Sequence, residues 1–335
     1  MARALVLLAQ ALAVAPAAHA DPSQIAFIKG LALGLYDDGD KRPALAEIAG
    51  VGADHVSLVV SWRQHDVTSV ALAPVPGTTV TDERLRGLVR AAHHAGLKVF
   101  IFPIIEVEVR KLGEWRGTLR PDDAGAWWDS YEGFILHYAA LAGDEHAELF
   151  AVGSELVSTE SWRDRWYHLI SAVRRRFSGK LVYSANWDHY LPVSFWDRVD
   201  YLGVTAYFEL TTRDDATADE LERGWRKVRV DLTAFAARVG RPLLITEVGC
   251  PSQNGAAVHP WDYTRTAPVD LEEQRRAYSA FVAAWNGEPR LAGVFFWDWS
   301  GAGGPRDGGY TPRGKPAEKV LRSWYTGMPQ PDMRN

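Results

Sequence analysis

Cys250 is the only cysteine among the 335 residues, so no intramolecular disulfide can form and no cysteine-rich metal site exists. Stability must come from burial, which a chain of this length can supply. No run of basic residues occurs, and the net charge is −5. The electrostatic footprint of a nucleic-acid or anionic-membrane binder is therefore missing, and a neutral partner is the natural expectation. The first apolar run, Lys29-Gly30-Leu31-Ala32-Leu33-Gly34, holds no His-x-His, which argues against a metal-dependent barrel hydrolase. No G-x-G-x-x-G follows it, as a dinucleotide-binding sheet would need. Neither a metal nor another cofactor is expected.

The N-terminus also lacks something: its apolar stretch, Ala4 to Ala15, falls short of the about 20 apolar residues a membrane-spanning helix needs. Arg3 before it and Ala18-His19-Ala20 after it give the pattern of a secretory signal cleaved after Ala20. A disordered apolar N-terminus is the alternative. No lipid-anchor cysteine follows. Residues 1–20 are thus assigned to a signal and 21–335 to one domain, secreted or periplasmic and with no membrane attachment once the signal is removed. Oligomeric state is not legible.

What is present is order. Short, nearly continuous apolar runs occupy 28–34, 54–60, 97–105, 147–154, 180–186, 199–206, 241–247 and 290–297. Such runs suit strands buried on both faces of a parallel sheet. Helical patterns separate them at 42–50, 82–95, 123–142, 161–177, 216–238 and 270–285, with 314–325 after the last; only 192–197 is too short for more than about one turn. Eight strand–helix units without an internal linker predict a single-domain α/β fold, a (β/α)8 TIM barrel. The segments following strands two, three, seven and eight (61–81, 106–122, 248–269 and 298–313) are long and carry Trp, His, Asp and Arg. Active sites of such barrels are built from loops on that face.

Glu155 and Glu247 each close an apolar run, the fourth and the seventh. In a closed barrel both emerge on the same face, and two converging carboxyl groups are the minimum equipment for splitting a glycosidic bond. Of the fourteen Trp, most belong in a core. Trp62, Trp187, Trp297 and Trp299 cluster beside strand ends, where aromatic faces stack on sugar rings.

The segments Gly153-Ser154-Glu155-Leu156, Thr246-Glu247-Val248-Gly249, Thr205-Ala206-Tyr207-Phe208 and Phe296-Trp297-Asp298-Trp299 resemble those of the retaining β-glycosidases of clan GH-A. Within it the chain is most similar to glycoside hydrolase family 113, the β-mannanase-like enzymes, over roughly 26–326. The resemblance implies Glu247 as nucleophile and Glu155 as acid/base, with a separation of about 5–5.5 Å for a retaining pair. It implies Tyr207 as a hydrogen-bond donor to Glu247, Trp297 as the sugar platform, and an oligosaccharide or polysaccharide substrate of the β-1,4-mannan type. Ser154 departs from the clan, which has Asn there to bind the sugar 2-hydroxyl; Asn186 is a candidate substitute.

Further candidates are Trp62 and Arg63, the latter for a sugar hydroxyl, the nucleophile or plain solvent. His65, Asp66, Trp187, Asp188, His189 and Trp261 are subsite candidates. Glu106 and Glu108 are rivals to Glu155 as acid. His93-His94 read as a solvated helix face, and the Gly301–Gly304 run with Arg306 as a rim loop rather than a phosphate site. A non-catalytic carbohydrate-binding barrel and a β-glucan-directed hydrolase of the same clan are the competing functions.

Overall fold

The computed structural model describes residues 26–328; the expected signal and its cleavage point lie outside them. Eight parallel strands close into a barrel in sequence order: β1 (Ile28–Gly34), β2 (His55–Gln64), β3 (Lys98–Val107), β4 (Leu149–Ser154), β5 (Lys180–Asn186), β6 (Tyr201–Thr205), β7 (Leu243–Val248) and β8 (Leu291–Phe296). The helices between and after them are α1 (Arg42–Gly50), α2 (Asp82–His94), α3 (Ala124–Asp144), α4 (Arg163–Arg174), α5 (Ala218–Val239), α6 (Leu271–Trp285) and α7 (Pro316–Thr326). Between β5 and β6 stands only the 3-10 turn Trp196–Arg198, where the sequence has no room for more. The expected (β/α)8 barrel is the observed fold.

Local signals explain the boundaries. Asp123 and Asp270 cap α3 and α6 by accepting from backbone N–H groups in the first turn, and Thr217 with Glu220 forms a reciprocal capping box on α5. Gly240 ends α5 in the left-handed conformation at φ 72°, which costs glycine little.

The core has two compartments. Ile28, Val59, Phe100, Phe102, Val182, Leu244 and Phe295 fill the barrel interior, while Leu31, Val56, Leu58, Phe150 and Ile245 alternate with them and face the helices. At Gly153 an added Cβ would come within 2.6 Å of the Tyr131 hydroxyl and 2.9 Å of the Trp166 ring. The bare backbone lets α3 and α4 close on β4, two residues before Glu155.

The long loops are tied down by buried charges. The Lys315 ammonium, fully enclosed, donates to Ser252 Oγ (2.8 Å), Gly309 O (3.0 Å) and Asp307 Oδ1 (3.1 Å), joining the loops after β7 and β8. Glu273 accepts from the backbone N–H groups of Gly255 and Ala257 at 2.8 and 2.9 Å. Buried charges survive only when paired in this way.

Strand β2 corrects one expectation. It runs to Gln64, so Trp62 and Arg63 lie within the strand and point to opposite sides. Trp62 faces outward and packs on Phe134, His137 and Tyr138 of α3, with ring centroids 5.2–6.3 Å away. It does not line a cleft. Trp299 is also withdrawn: it is buried and donates to Glu47 of α1 at 2.9 Å.

Candidate active site

Glu155 follows β4 immediately, with φ +56°. Left-handed backbone costs a non-glycine residue roughly 1–2 kcal/mol, and the surroundings hold it there. Its N–H donates to Ser184 O at 2.8 Å, and the next N–H, of Leu156, donates to the Tyr183 hydroxyl at 3.0 Å. The side chain is buried. Oε1 accepts from Thr205 Oγ1 at 2.6 Å; Oε2 accepts from both Nε (3.1 Å) and Nη2 (2.8 Å) of Arg116.

Glu247, near the end of β7, is buried as well. Its Oε2 accepts from the Tyr207 hydroxyl at 3.0 Å, while Oε1 is enclosed without a partner. Burial first, then the negative charge of Glu155, raises its pKa to about 8, against the opposing pull of Arg116 and Tyr207. The negative charge of Glu155 thus works against ionisation of Glu247. Strand β6 lies against both: Thr205, which reaches Glu155, is the register partner of Glu247.

The remaining walls come from β1 and β8. Tyr36 and Trp297 pack on the interior cluster from above. The Asp298 carboxyl is buried and raised, chiefly by burial; burial first, then the fields of Asp298 and Glu247, raises Tyr36. Glu155 and Glu247 thus share one guanidinium, with Asp298 adding its negative field at Glu247. Such a pocket repels an anionic ligand and favours positive charge developing on a bound neutral molecule, as in an oxocarbenium-like transition state.

Other candidates fall into place around this centre. Arg63 is spent at the rim, with Nε 3.1 Å from Glu106 Oε2 and Nη1 3.6 Å from Glu108 Oε1; it pairs with the two acids considered as rivals to Glu155. Asn186 turns to Asp188, donating at 2.6 Å. The Ser154 hydroxyl is buried without a partner. His189 Nδ1 lies 2.7 Å from Glu160 Oε2, whose other oxygen accepts from Tyr183 at 2.6 Å. That network reaches Glu155 only through the backbone of Leu156. Trp187, edge-on to Phe208 at 5.6 Å, and Trp261, 45% exposed, stand at the rim.

Asp66 is occupied in a turn with Thr68 and Ser69, and His65 is largely exposed. His93 and His94 lie on α2 outside the barrel, His93 3.3 Å from Glu148. Gly301–Gly304 and Arg306 form a rim turn that opens no helix. Among the described residues no group of three or more His, Cys, Asp or Glu is placed to hold a metal, and no helix is long and apolar enough to cross a membrane.

Arg116, Thr205, Tyr36 and Asp298 escaped the sequence reading as individual site residues. The length and charge of segment 106–122, the segment Thr205-Ala206-Tyr207-Phe208 and the run Trp297-Asp298 hinted at three of them.

A barrel with paired buried carboxyls at the ends of β4 and β7 belongs to the glycoside hydrolases, and comparison with known proteins agrees. The model of Glycoside Hydrolase Family 113 matches residues 26–311, and the chain belongs to that family. A GH113 β-mannanase, AaManA from Alicyclobacillus acidocaldarius, solved in complex with ManMIm, superposes with a TM-score of 0.82 at 30% identity, covering 92% of this chain and 100% of that one. A GH113 β-1,4-mannanase superposes at TM-score 0.80 and 24% identity over 90% of this chain and 99% of that one, sharing the fold. The β-glucuronidase of Faecalibacterium prausnitzii shares only the barrel, at TM-score 0.61 and 13% identity over 91% of this chain and 49% of that one. No curated protein matches in sequence. The protein is a glycoside hydrolase acting on carbohydrate.

Proposed function

We propose that the protein is a retaining hydrolase of β-1,4-mannan-type oligosaccharides or polysaccharides, with Glu247 as nucleophile and Glu155 as acid/base. In the first step a Glu247 oxygen attacks the anomeric carbon. The glycosidic C–O bond breaks, and the leaving oxygen takes the proton of Glu155. In the second step water attacks the same carbon and gives a proton to Glu155; the bond to Glu247 breaks, its electron pair returning to the carboxylate. The Tyr207 hydroxyl steadies Glu247 through the cycle and favours its charged form. Trp297 supplies the apolar face beneath the sugar ring.

The observation that carries this reading is the shared anchorage of both acids at the end of β6, on its last residue Thr205 for Glu155 and on Tyr207 just beyond it for Glu247. The β-mannanase relatives support the mannan preference, and the negative pocket supports a neutral sugar. A screen of β-mannan, glucomannan and β-glucan oligosaccharides, with the anomeric form of fresh product followed by NMR, tests it. Mannan cleavage with retained configuration is expected. An inverted product removes the double displacement. Preference for β-glucan moves the specificity within the clan, and binding without turnover of any substrate leaves a carbohydrate-binding barrel. The N-terminal signal further proposes secretion or export to the periplasm, which N-terminal sequencing of the mature protein checks at Asp21.

A further inference from the structure

Arg116 opens the 3-10 turn Arg116–Thr118 in the connection from β3 to α3. This turn is built to hold one position. Thr118 Oγ1 donates to Trp115 O (3.0 Å) and accepts from Trp115 N–H (3.1 Å), while Arg120 N–H donates to Val67 O (2.8 Å) and Asp122 N–H to Thr68 O (2.9 Å). Gly117 lies so close that an added Cβ would sit 2.4 Å from the Trp115 ring. The guanidinium is delivered on a fixed stem, and both Nε and Nη2 point at Oε2 of Glu155.

The count of donors is unequal. Glu155 accepts three hydrogen bonds, Glu247 one, and Glu247 Oε1 has none. Donors to a carboxylate favour its charged form. The unequal donor count therefore favours negative charge on Glu155 over Glu247, opposite to what the first chemical step demands. The second step, by contrast, demands an ionised Glu155 that will take a proton from water.

We propose that Arg116 is a positioning residue that exchanges partners in each turnover, surrendering Oε2 of Glu155 to the leaving-group oxygen in the first step and reclaiming it to hold the base form in the second. The aglycone sugar is what displaces it, because Oε2 is the donor atom that sugar must reach once Thr205 has engaged Oε1. This inference rests on the acid/base assignment of Glu155 proposed above. The other groups facing the pair are Tyr36 from β1, Glu160 beyond β4, Tyr207 from β6 and Asp298 from β8. Arg116 is the cation in hydrogen-bond contact with Glu155.

Arg116→Met keeps length and removes charge; Arg116→Lys keeps charge and loses the two-pronged contact. Infrared titration of the substrate-free protein, with the Glu155 band identified by its loss in Glu155→Gln, reads the proposal without turnover. In Arg116→Met the band should ionise at higher pH than in wild type, with Lys in between. Stopped-flow with 2,4-dinitrophenyl β-mannobioside, whose leaving group needs no acid, should show a burst in Arg116→Met. Its steady-state kcat should fall at least tenfold as glycosyl-enzyme accumulates. On mannohexaose the alkaline limb of kcat/KM should move to higher pH. A merely structural arginine would lower all rates together and leave the titration and the pH limb in place, and that result overturns the proposal. If the titration moves as expected but Glu155→Gln and Glu247→Gln remain active on mannohexaose, Arg116 still sets the charge of Glu155 while the catalytic assignment falls.

Discussion

Thr205 donates its hydroxyl to Oε1 of Glu155 at 2.6 Å across fifty residues of sequence, while its backbone stands in register with Glu247. One side chain of β6 therefore fixes the rotamer of one acid from a position abutting the other. Replacing Thr205 by Val keeps the shape and deletes this bond. A hydrogen bond to a charged group contributes about 1.5–3 kcal/mol, so kcat/KM should fall by about ten- to a hundredfold. The fall should appear in kcat rather than KM on mannohexaose. A drop confined to KM would mean that Thr205 binds sugar instead.

Glu247 should be a cost to the fold. Its pKa is raised from the ordinary 4.5 to about 8, so the folded protein holds a proton that the unfolded chain gives up between those values. Stability is then greatest below pH 4.5 for this group and falls as pH rises through 8. Glu247→Gln should abolish hydrolysis and make the protein more stable than wild type at pH 8. Thermal melts of both proteins at pH 5 and pH 8 check it. The gain should shrink at pH 5, and an equal gain at both values would assign it to something other than the charge.

Tyr207→Phe removes the one donor that Glu247 has. The carboxylate loses its stabilisation, so the ionised nucleophile becomes scarcer at neutral pH. The acid limb of the kcat profile should shift to higher pH and kcat should fall at least tenfold, measured on a dinitrophenyl β-mannoside so that leaving-group protonation does not enter. An unmoved acid limb would dissociate Tyr207 from the nucleophile.

The two tryptophans that the sequence treated alike should part company. Trp62→Ala empties a place between β2 and α3 and should cost about 3 kcal/mol of stability with KM unchanged in the surviving folded protein. Trp297→Ala, on the interior side beside Tyr36, should raise KM for mannohexaose several-fold with a smaller loss in melting temperature. Denaturant titrations and initial rates on both variants separate the outcomes.

Much of this was legible in advance because the barrel buries each strand on both faces, which writes nearly continuous apolar runs, and because an acid at the end of such a run can only emerge at the mouth. Glu155 and Glu247 stood out on that ground, and Tyr207 through the family motif that carries it. Trp62 did not, since the side a strand residue faces reverses with each position and β2 continued further than its apolar run. The contact of Asn186 with its neighbour Asp188 is likewise not written in the strand pattern.

The sequence by itself determined the eightfold repeat, the functional face and the pair of carboxyls, all of which follow from local hydrophobic pattern and strand direction. Tertiary structure alone decided which atoms surround that pair. Arg116, Thr205, Tyr36 and Asp298 come from four separate connections and strands, and no periodicity encodes their meeting. The charge state of two buried acids depends on how many donors reach each oxygen, a quantity that exists only once the barrel has closed.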